Sequence, residues 1–407
     1  MRLPSLSCLC IAAAMLTHGV AQAAIVFTPH LSEYGILPRG AYADHTFIYT
    51  RIDKIFDQNG DKKPLGDTAI PPGSTVDASL LLFRYLWIGN PFEHSSIPFL
   101  NDHDEVFRVI GNLGWQQGKG DIPDLSRKFG LKSGGSGLGD LFLLGGIYGK
   151  NHHWGVANFN GLGSFTAKVP IGDYDTRALL NTGTHYWTYI PQLSGHADFW
   201  GRLNLDGTAA YQLNGRNNSP AYGGLTPTKP ADVYNLELNA AWKFTEHWFA
   251  DVGYGWRKSV GPNEYDKVTL NFKDQPLPAT TACNSGQAFG IVVPPEQCSL
   301  TDRFFIRPRA GQYRDRGTEG ALLTTSLYYV YRASSVINFR AAIPVSGKGG
   351  QITVPYDVYT RDPRSNPTAT PIASVNPSPQ LTAVQEAGSV SASPFYELRF
   401  VYLFWAP

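Results

Sequence analysis

The chain has 407 residues, with 34 Lys+Arg against 33 Asp+Glu, so it lacks the basic excess that a nucleic-acid partner requires. Charged residues make up 16 %, below the roughly 25 % usual in soluble domains. Aromatics are abundant, and 42 Gly with 29 Pro leave little room for long helices.

In chain order, the first element is an export signal. Arg2 precedes an apolar run from Leu6 to Leu16, and Ala21-Gln22-Ala23 forms an A-x-A cleavage site. The run is too short to span a bilayer, and Cys8 and Cys10 sit too early to be lipid-attachment sites. Residues 1–23 therefore read as a signal peptide, and the mature chain starts near Ala24. Residues 24–40 follow, with Phe27, Leu31, Tyr34, Ile36 and Leu37 but no alternation. Such a segment could enter a barrel lumen from the periplasmic side. No later stretch approaches 18 consecutive apolar residues, so any membrane crossing must be by a closed barrel, here residues 41–407.

The remaining elements are amphipathic strands. About twelve are expected, near 41–57, 75–89, 104–113, 138–149, 153–168, 181–190, 197–213, 233–244, 248–258, 319–332, 335–345 and 395–405. From Tyr234 to Phe244 one face reads Tyr234, Leu236, Leu238, Ala240, Trp242, Phe244; the other reads Asn235, Glu237, Asn239, Ala241, Lys243. That is the apolar-out, polar-in alternation of a transmembrane barrel strand. A soluble β-sandwich also alternates. Strands of eleven residues or more, aromatics gathered at strand ends and a terminal aromatic strand ending at Trp405 favour the barrel. The connections after odd strands (58–74, 114–137, 169–180, 214–232, 259–318, 346–394) are mostly long. Those after even strands (90–103, 149–152, 191–196, 245–247 and Tyr331 to Ser335) are mostly short. Long outer loops and short periplasmic turns are what an outer-membrane barrel shows. The expected fold class is all-β: a transmembrane antiparallel up-and-down barrel.

The loops and lumen face hold the candidate chemistry. Cys283 and Cys298, in the longest loop, are an even pair in an oxidising compartment and are expected to be bridged. No G-x-S-x-G, Walker A or H-E-x-x-H motif occurs, and the Gly134–Gly139 stretch lacks G-x-G-x-x-G spacing, so no enzyme, cofactor or phosphate cradle is indicated. Asp57, Asn59 and Asp61 imitate the start of a calcium loop, but no Glu follows at the twelfth position; a hydrated turn is expected and no metal. His152 and His153 read as surface residues of a tight turn. The informative polar residues are those expected to line a pore: Asp198, Arg202, Asn204, Asp206, Glu237, Lys243, Asp251, Arg257, Arg340 and Arg399. Such charges either line a path or pair across the lumen as structural salt bridges.

One stretch carries a family likeness. Gly137-Leu138-Gly139-Asp140, then Pro170-Ile171-Gly172-Asp173-Tyr174-Asp175, then Asn181-Thr182-Gly183, Pro191, Tyr211-Gln212-Leu213-Asn214 and Asn217 occur in order. With the early Phe56-Asp57-Gln58-Asn59-Gly60 turn, the chain resembles the outer-membrane family named for the meta-pathway of phenol degradation. The resemblance implies a barrel passing small hydrophobic or aromatic compounds across the outer membrane. Implied partners are outer-membrane lipid, such solutes and the outer-membrane assembly machinery. A structural or adhesive barrel acting through its surface loops is the alternative.

Overall fold

The computed structural model describes residues 39–57, 59–65, 73–94, 96, 103–123, 126, 132–178, 180–221, 227–265, 305–308, 313–332, 335–349, 352–353, 356–359, 368, 370, 373–375, 384–385 and 390–405. The signal peptide, residues 24–38 and both loop cysteines, Cys283 and Cys298, lie outside them.

Twelve long antiparallel strands form one closed sheet: β1 Gly40–Ile52, β2 Thr75–Gly89, β3 His103–Lys119, β4 Leu141–Trp154, β5 Ala157–Val169, β6 Thr188–Phe199, β7 Leu203–Asn214, β8 Asp232–Lys243, β9 Trp248–Val260, β10 Glu319–Arg332, β11 Ser335–Lys348 and β12 Phe395–Trp405. Each pairs with its sequence neighbours. The ends meet because β1 pairs with β2 on one side (Gly40 opposite Ile88 through Ile52 opposite Val76) and β12 on the other (Ala41 opposite Trp405 through Thr50 opposite Phe395). Closure removes both sheet edges, as spanning a bilayer by strands requires.

Alternation sorts the side chains onto two faces. The outer face carries Phe47, Phe83, Tyr85, Phe107, Leu143, Phe165, Leu193, Leu205, Leu238, Val252, Leu323, Phe339, Leu398 and Phe400, all exposed and all apolar or aromatic. In water that surface would be an aggregation hazard; in lipid it is the solvated face. Aromatics collect in two belts. One lies toward the long loops, with Tyr49, Trp115, Trp187, Tyr189, Tyr234 and Tyr396. The other lies toward the short turns, with Trp154, Trp200, Trp242, Phe244, Trp248, Tyr331, Phe404 and Trp405. These are the interfacial girdles of an outer-membrane barrel. The inner face holds the core: Tyr42, Leu86, Ile88, Val106, Leu144, Tyr148, Leu162, Phe249, Tyr328, Val336 and Val401 pack inside the barrel near its periplasmic end. The Phe249 and Tyr328 rings stack 4.1 Å apart there.

Ten of the expected strands fall where the alternation places them, give or take their ends. The expected strands 181–190 and 197–213 are corrected to Thr188–Phe199 and Leu203–Asn214. Between them Trp200 and Gly201 take φ of 55° and 65°, and Arg202 N–H closes the turn on the Phe199 carbonyl at 3.1 Å. Phe199 pairs with Leu203, an even step apart, so the apolar alternation runs unbroken through the reversal and hides it. Residues 181–187 belong instead to an outer loop. Strand β3 is longer than expected because its outer half pairs with an extra short strand, Gly134–Leu138, and its inner half with β4. His152 and His153, expected in a turn, are late residues of β4 beyond a bulge; the turn is Gly155-Val156. The long/short parity of the connections holds, with 90–102 the one extended periplasmic connection.

Leu238 is 52 % exposed on the outer face and its neighbour Asn239 5 % exposed inside. Leu238→Arg places a charge in lipid near mid-strand, which costs ~2–4 kcal/mol, whereas Asn239→Arg enters a lumen lined with carboxylates. The folded, heat-modifiable fraction on gels should therefore drop far more for Leu238→Arg. Equal folded yields would show the register to be wrong.

Candidate functional site

The site is the barrel interior, and it is layered. Strands β1, β2 and β9 to β12 each contribute an inward polar residue at a similar depth. Asp44 on β1 accepts from Arg84 Nη1 of β2 at 3.0 Å and from Arg399 Nε of β12 at 2.8 Å. Thr46 Oγ1 donates to the other Asp44 oxygen at 2.9 Å and accepts from Arg84 at 3.1 Å. Glu397, two residues from Arg399, lies 3.8 Å from Arg340 Nη1 of β11. Arg340 donates on to Ser326 Oγ at 3.1 Å and Tyr328 OH at 3.4 Å. Tyr328 OH donates to Asp251 Oδ2 at 2.7 Å, and Asn239 Nδ2 reaches the same oxygen at 3.5 Å. Charge alternates around this arc: Arg84, Asp44, Arg399, Glu397, Arg340, Asp251. All six are buried. A buried charge is tolerable when paired or hydrogen-bonded, and here Arg84 and Arg399 meet Asp44, Arg340 meets Glu397, and Asp251 accepts from Tyr328. On the facing wall the acids dominate. His196 Nδ1 pairs with Asp206 Oδ1 at 2.8 Å, and Asp198 and Glu237 share that inner face.

Apolar tiers flank the polar one. Ile48, Leu82, Ala342 and Phe395, with Leu80, Ile110 and Leu322 packed against them, form the tier toward the outer loops. Each lies on its strand directly beyond a girdle position: Ile48 past Thr46, Leu82 past Arg84, Ala342 past Arg340, Phe395 past Glu397. The core around Tyr42, Leu86, Val336 and Val401 is the tier on the periplasmic side.

Strand parity puts Asp198, Asn204, Asp206, Glu237, Lys243, Asp251, Arg257, Arg340 and Arg399 on the inner face. Arg202 is corrected: it sits in the exposed β6–β7 turn, because the reversal there was masked by unbroken alternation. Asp44, Arg84, His196 and Tyr328 were missed. A signal existed for Arg84, a single charge within the apolar run Leu80 to Ile88, and for Asp44, which shares a face with Tyr42, Thr46 and Ile48.

The family-like residues assemble outside the lumen, as a clasp of outer loops. Asp140, buried just before β4, accepts from the backbone of Gly172 (3.2 Å) and Thr184 (3.0 Å) and lies 3.7 Å from Lys168 Nζ. Asp173 and Leu138 exchange two bonds, Asp173 N–H to the Leu138 carbonyl at 2.7 Å and Leu138 N–H to Asp173 Oδ2 at 2.8 Å. Asn181 spans its loop, accepting from Asp175 N at 2.7 Å and donating to the Asp175 carbonyl at 3.1 Å. Lys132, 2.6 Å away, holds the Asp175 carboxyl below the usual range. Tyr174 stacks on His185 at 4.8 Å and accepts from Asn217 Nδ2 at 3.2 Å. Gly172 is dictated by closeness: a Cβ there would lie 2.7 Å from the Gly139 carbonyl carbon. Gly137 and Pro170 flank the same junctions. The Asp57 turn is closed by its own chain. Asp57 Oδ1 accepts from Asn59 and Asp61 N–H groups, and Lys63 Nζ sits 2.8 Å from the other oxygen.

Two tests follow from this geometry. Asp44→Asn leaves Arg84 and Arg399 facing each other without their shared carboxylate, so thermal or urea unfolding should show a loss of about 3–5 kcal/mol. A midpoint unchanged from the parent chain would remove the girdle from the account of stability. Asp140→Ala strips the acceptor from two backbone N–H groups, at about 1–3 kcal/mol each. Protease nicking should then rise within 170–187 while the barrel still migrates as folded; intact loops after digestion would argue against the clasp.

Residues 52–277 match the model of a family described as "Putative MetA-pathway of phenol degradation". No curated protein matches the chain. Among solved structures, an outer membrane channel from Pseudomonas putida F1 is 11 % identical, covers 90 % of this chain and 97 % of its own, and superposes with a TM-score of 0.55. That likeness is one of fold: both are outer-membrane barrels. The toluene transporter TodX of Pseudomonas putida is 8 % identical over 96 % of each chain, with a TM-score of 0.35.

Proposed function

The chain belongs to the MetA-pathway of phenol degradation family, and from that membership and its layered lumen we propose that it is a passive outer-membrane channel for small hydrophobic or aromatic compounds. The observation that carries this reading is the apolar tier of Ile48, Leu82, Ala342 and Phe395 inside a membrane barrel, on the loop side of the polar girdle. An apolar shelf on the loop side of the girdle suits a solute that is itself apolar. An apolar solute leaving the outer loops would rest there, its rings against Phe395 and Leu82, before passing the girdle.

The pore-lining role belongs to the inward polar residues: Asp198, Asn204, Asp206, Glu237, Lys243, Asp251, Arg257, Arg340 and Arg399. Because the arc residues are already paired, a neutral solute passes without stripping a bare charge of its partner. The same carboxylates and guanidiniums keep the barrel from collapsing into one apolar core. The sequence offers no catalytic constellation, and movement down a gradient needs no energy source. Delivery to the membrane would use the outer-membrane assembly machinery, with the aromatic last strand as the terminal element. The surface-loop alternative draws on one observation, the hydrogen-bonded clasp around Asp140, which gives the outer loops a fixed shape.

Uptake of a small fluorescent aromatic solute into outer-membrane vesicles tests the channel. Vesicles carrying the protein should fill faster than vesicles without it. Enlarging the shelf residues with Leu82→Trp and Ala342→Phe should slow filling. Indistinguishable uptake with and without the protein would leave the loops as the functional surface.

A further inference from the structure

The outer rim of the lipid-facing surface carries two groups of the same design. On β1 to β3, Arg51, Asp77 and Lys119 stand side by side. Asp77 lies between the two cations, 3.9 Å from Arg51 Nε and in contact with Lys119 Nζ. On β9 to β11, Glu319 is paired in register with Lys258 on one side and Lys348 on the other. Lys258 Nζ is 3.5 Å from Glu319 Oε2, and Trp256 Nε1 donates to Glu319 Oε1 at 3.0 Å. Arg51, Lys119, Lys258 and Lys348 are all exposed. Each group sets two cations beside one carboxylate across three strands, Lys348 by register alone, so its three side chains sum to +1.

Their position is specific. Parity points Arg51 outward with Phe47 and Tyr49, Lys119 with Trp115, and Lys258 with Tyr254 and Trp256. All lie at the ends of strands that lead into long loops, one step beyond the aromatic belt. There the hydrocarbon ends and headgroups begin. Exposed pairs of this kind contribute little to stability, so a second cation on each carboxylate is not explained by folding. The outer strands of a three-strand group are ~10 Å apart, which is headgroup scale. Long cationic stems can lie along the apolar surface and hold their charge at the interface, where the negative groups of lipids gather.

We propose that these two groups bind the phosphates of a phosphorylated lipid of the outer leaflet, one headgroup at Arg51/Lys119 and one at Lys258/Lys348. The phosphate oxygens accept from the guanidinium and ammonium donors. Trp115 and Tyr49 at the first group, and Trp256 and Tyr254 at the second, receive the upper part of the acyl chains.

The test uses the full purified chain in non-ionic detergent. Native mass spectrometry follows the retention of diphosphorylated lipid A and of the same lipid stripped of its phosphates. The parent chain should retain up to two copies of the phosphorylated form in preference to the stripped form. R51Q/K119Q and K258Q/K348Q should each weaken retention at one site about thirtyfold, as expected for removing two interfacial charges. R51K should retain it. Heat-modifiable migration checks that every variant is folded; if a double variant does not fold, the single changes Lys119→Gln and Lys258→Gln supply the comparison. Excess inorganic phosphate distinguishes a lipid site from a free-anion site: bound lipid should persist. Displacement by phosphate, equal retention of the stripped lipid, or unchanged retention in the folded variants would each overturn the proposal.

Discussion

Pairing of Gly40–Ile52 with both Thr75–Gly89 and Phe395–Trp405 is the contact on which the rest of the molecule depends. It joins the two ends of the barrel, so every strand has a neighbour on each side. In hydrocarbon an unpaired backbone N–H or C=O has no water to turn to, and an open sheet of this size could not stay there. Closure also makes an inside. Without it, Asp44 and Arg399, on strands 355 residues apart in sequence, would not meet.

Once the sheet is closed, a period of two does the sorting. One parity class is solvated by lipid and the other lines the lumen. Twelve strands lie between the small barrels whose side chains fill the interior and the larger ones that hold a water channel. Here the lining is tiered, apolar, ionic and apolar. The ionic tier is held by alternation of charge around the wall rather than by isolated pairs, so each buried guanidinium or carboxylate meets a partner on an adjacent strand. Such a tier contributes less to net stability than to uniqueness: slipping one strand by a residue would bury unpaired charge and expose it to lipid at once.

The outer loops follow different rules. Around Asp140, Asp173 and Asn181, side-chain acceptors bind backbone N–H groups that no strand can satisfy, and Gly172 lets two loops touch through their backbones. The residues that carry the sequence resemblance are therefore mainly architectural. They fix the loops at the mouth. The rim above the aromatic belt answers to a third environment, the lipid headgroups.

The sequence by itself determined the barrel, its parity of loops and the face on which nearly every strand residue lies, because alternation is a local property read two residues at a time. Leu238 outward and Asn239 inward needed no neighbour to be assigned. It also placed Asp251, Arg340 and Arg399 on the inner face. The turn at Trp200-Gly201 escaped it, since the reversal left the alternation intact, and Arg202 was misplaced with it. Only the tertiary structure decided which inward charges meet. Asp44 with Arg84 and Arg399, Arg340 with Glu397 and Tyr328 with Asp251 depend on strand register and on closure of the barrel, neither of which is encoded in any one strand.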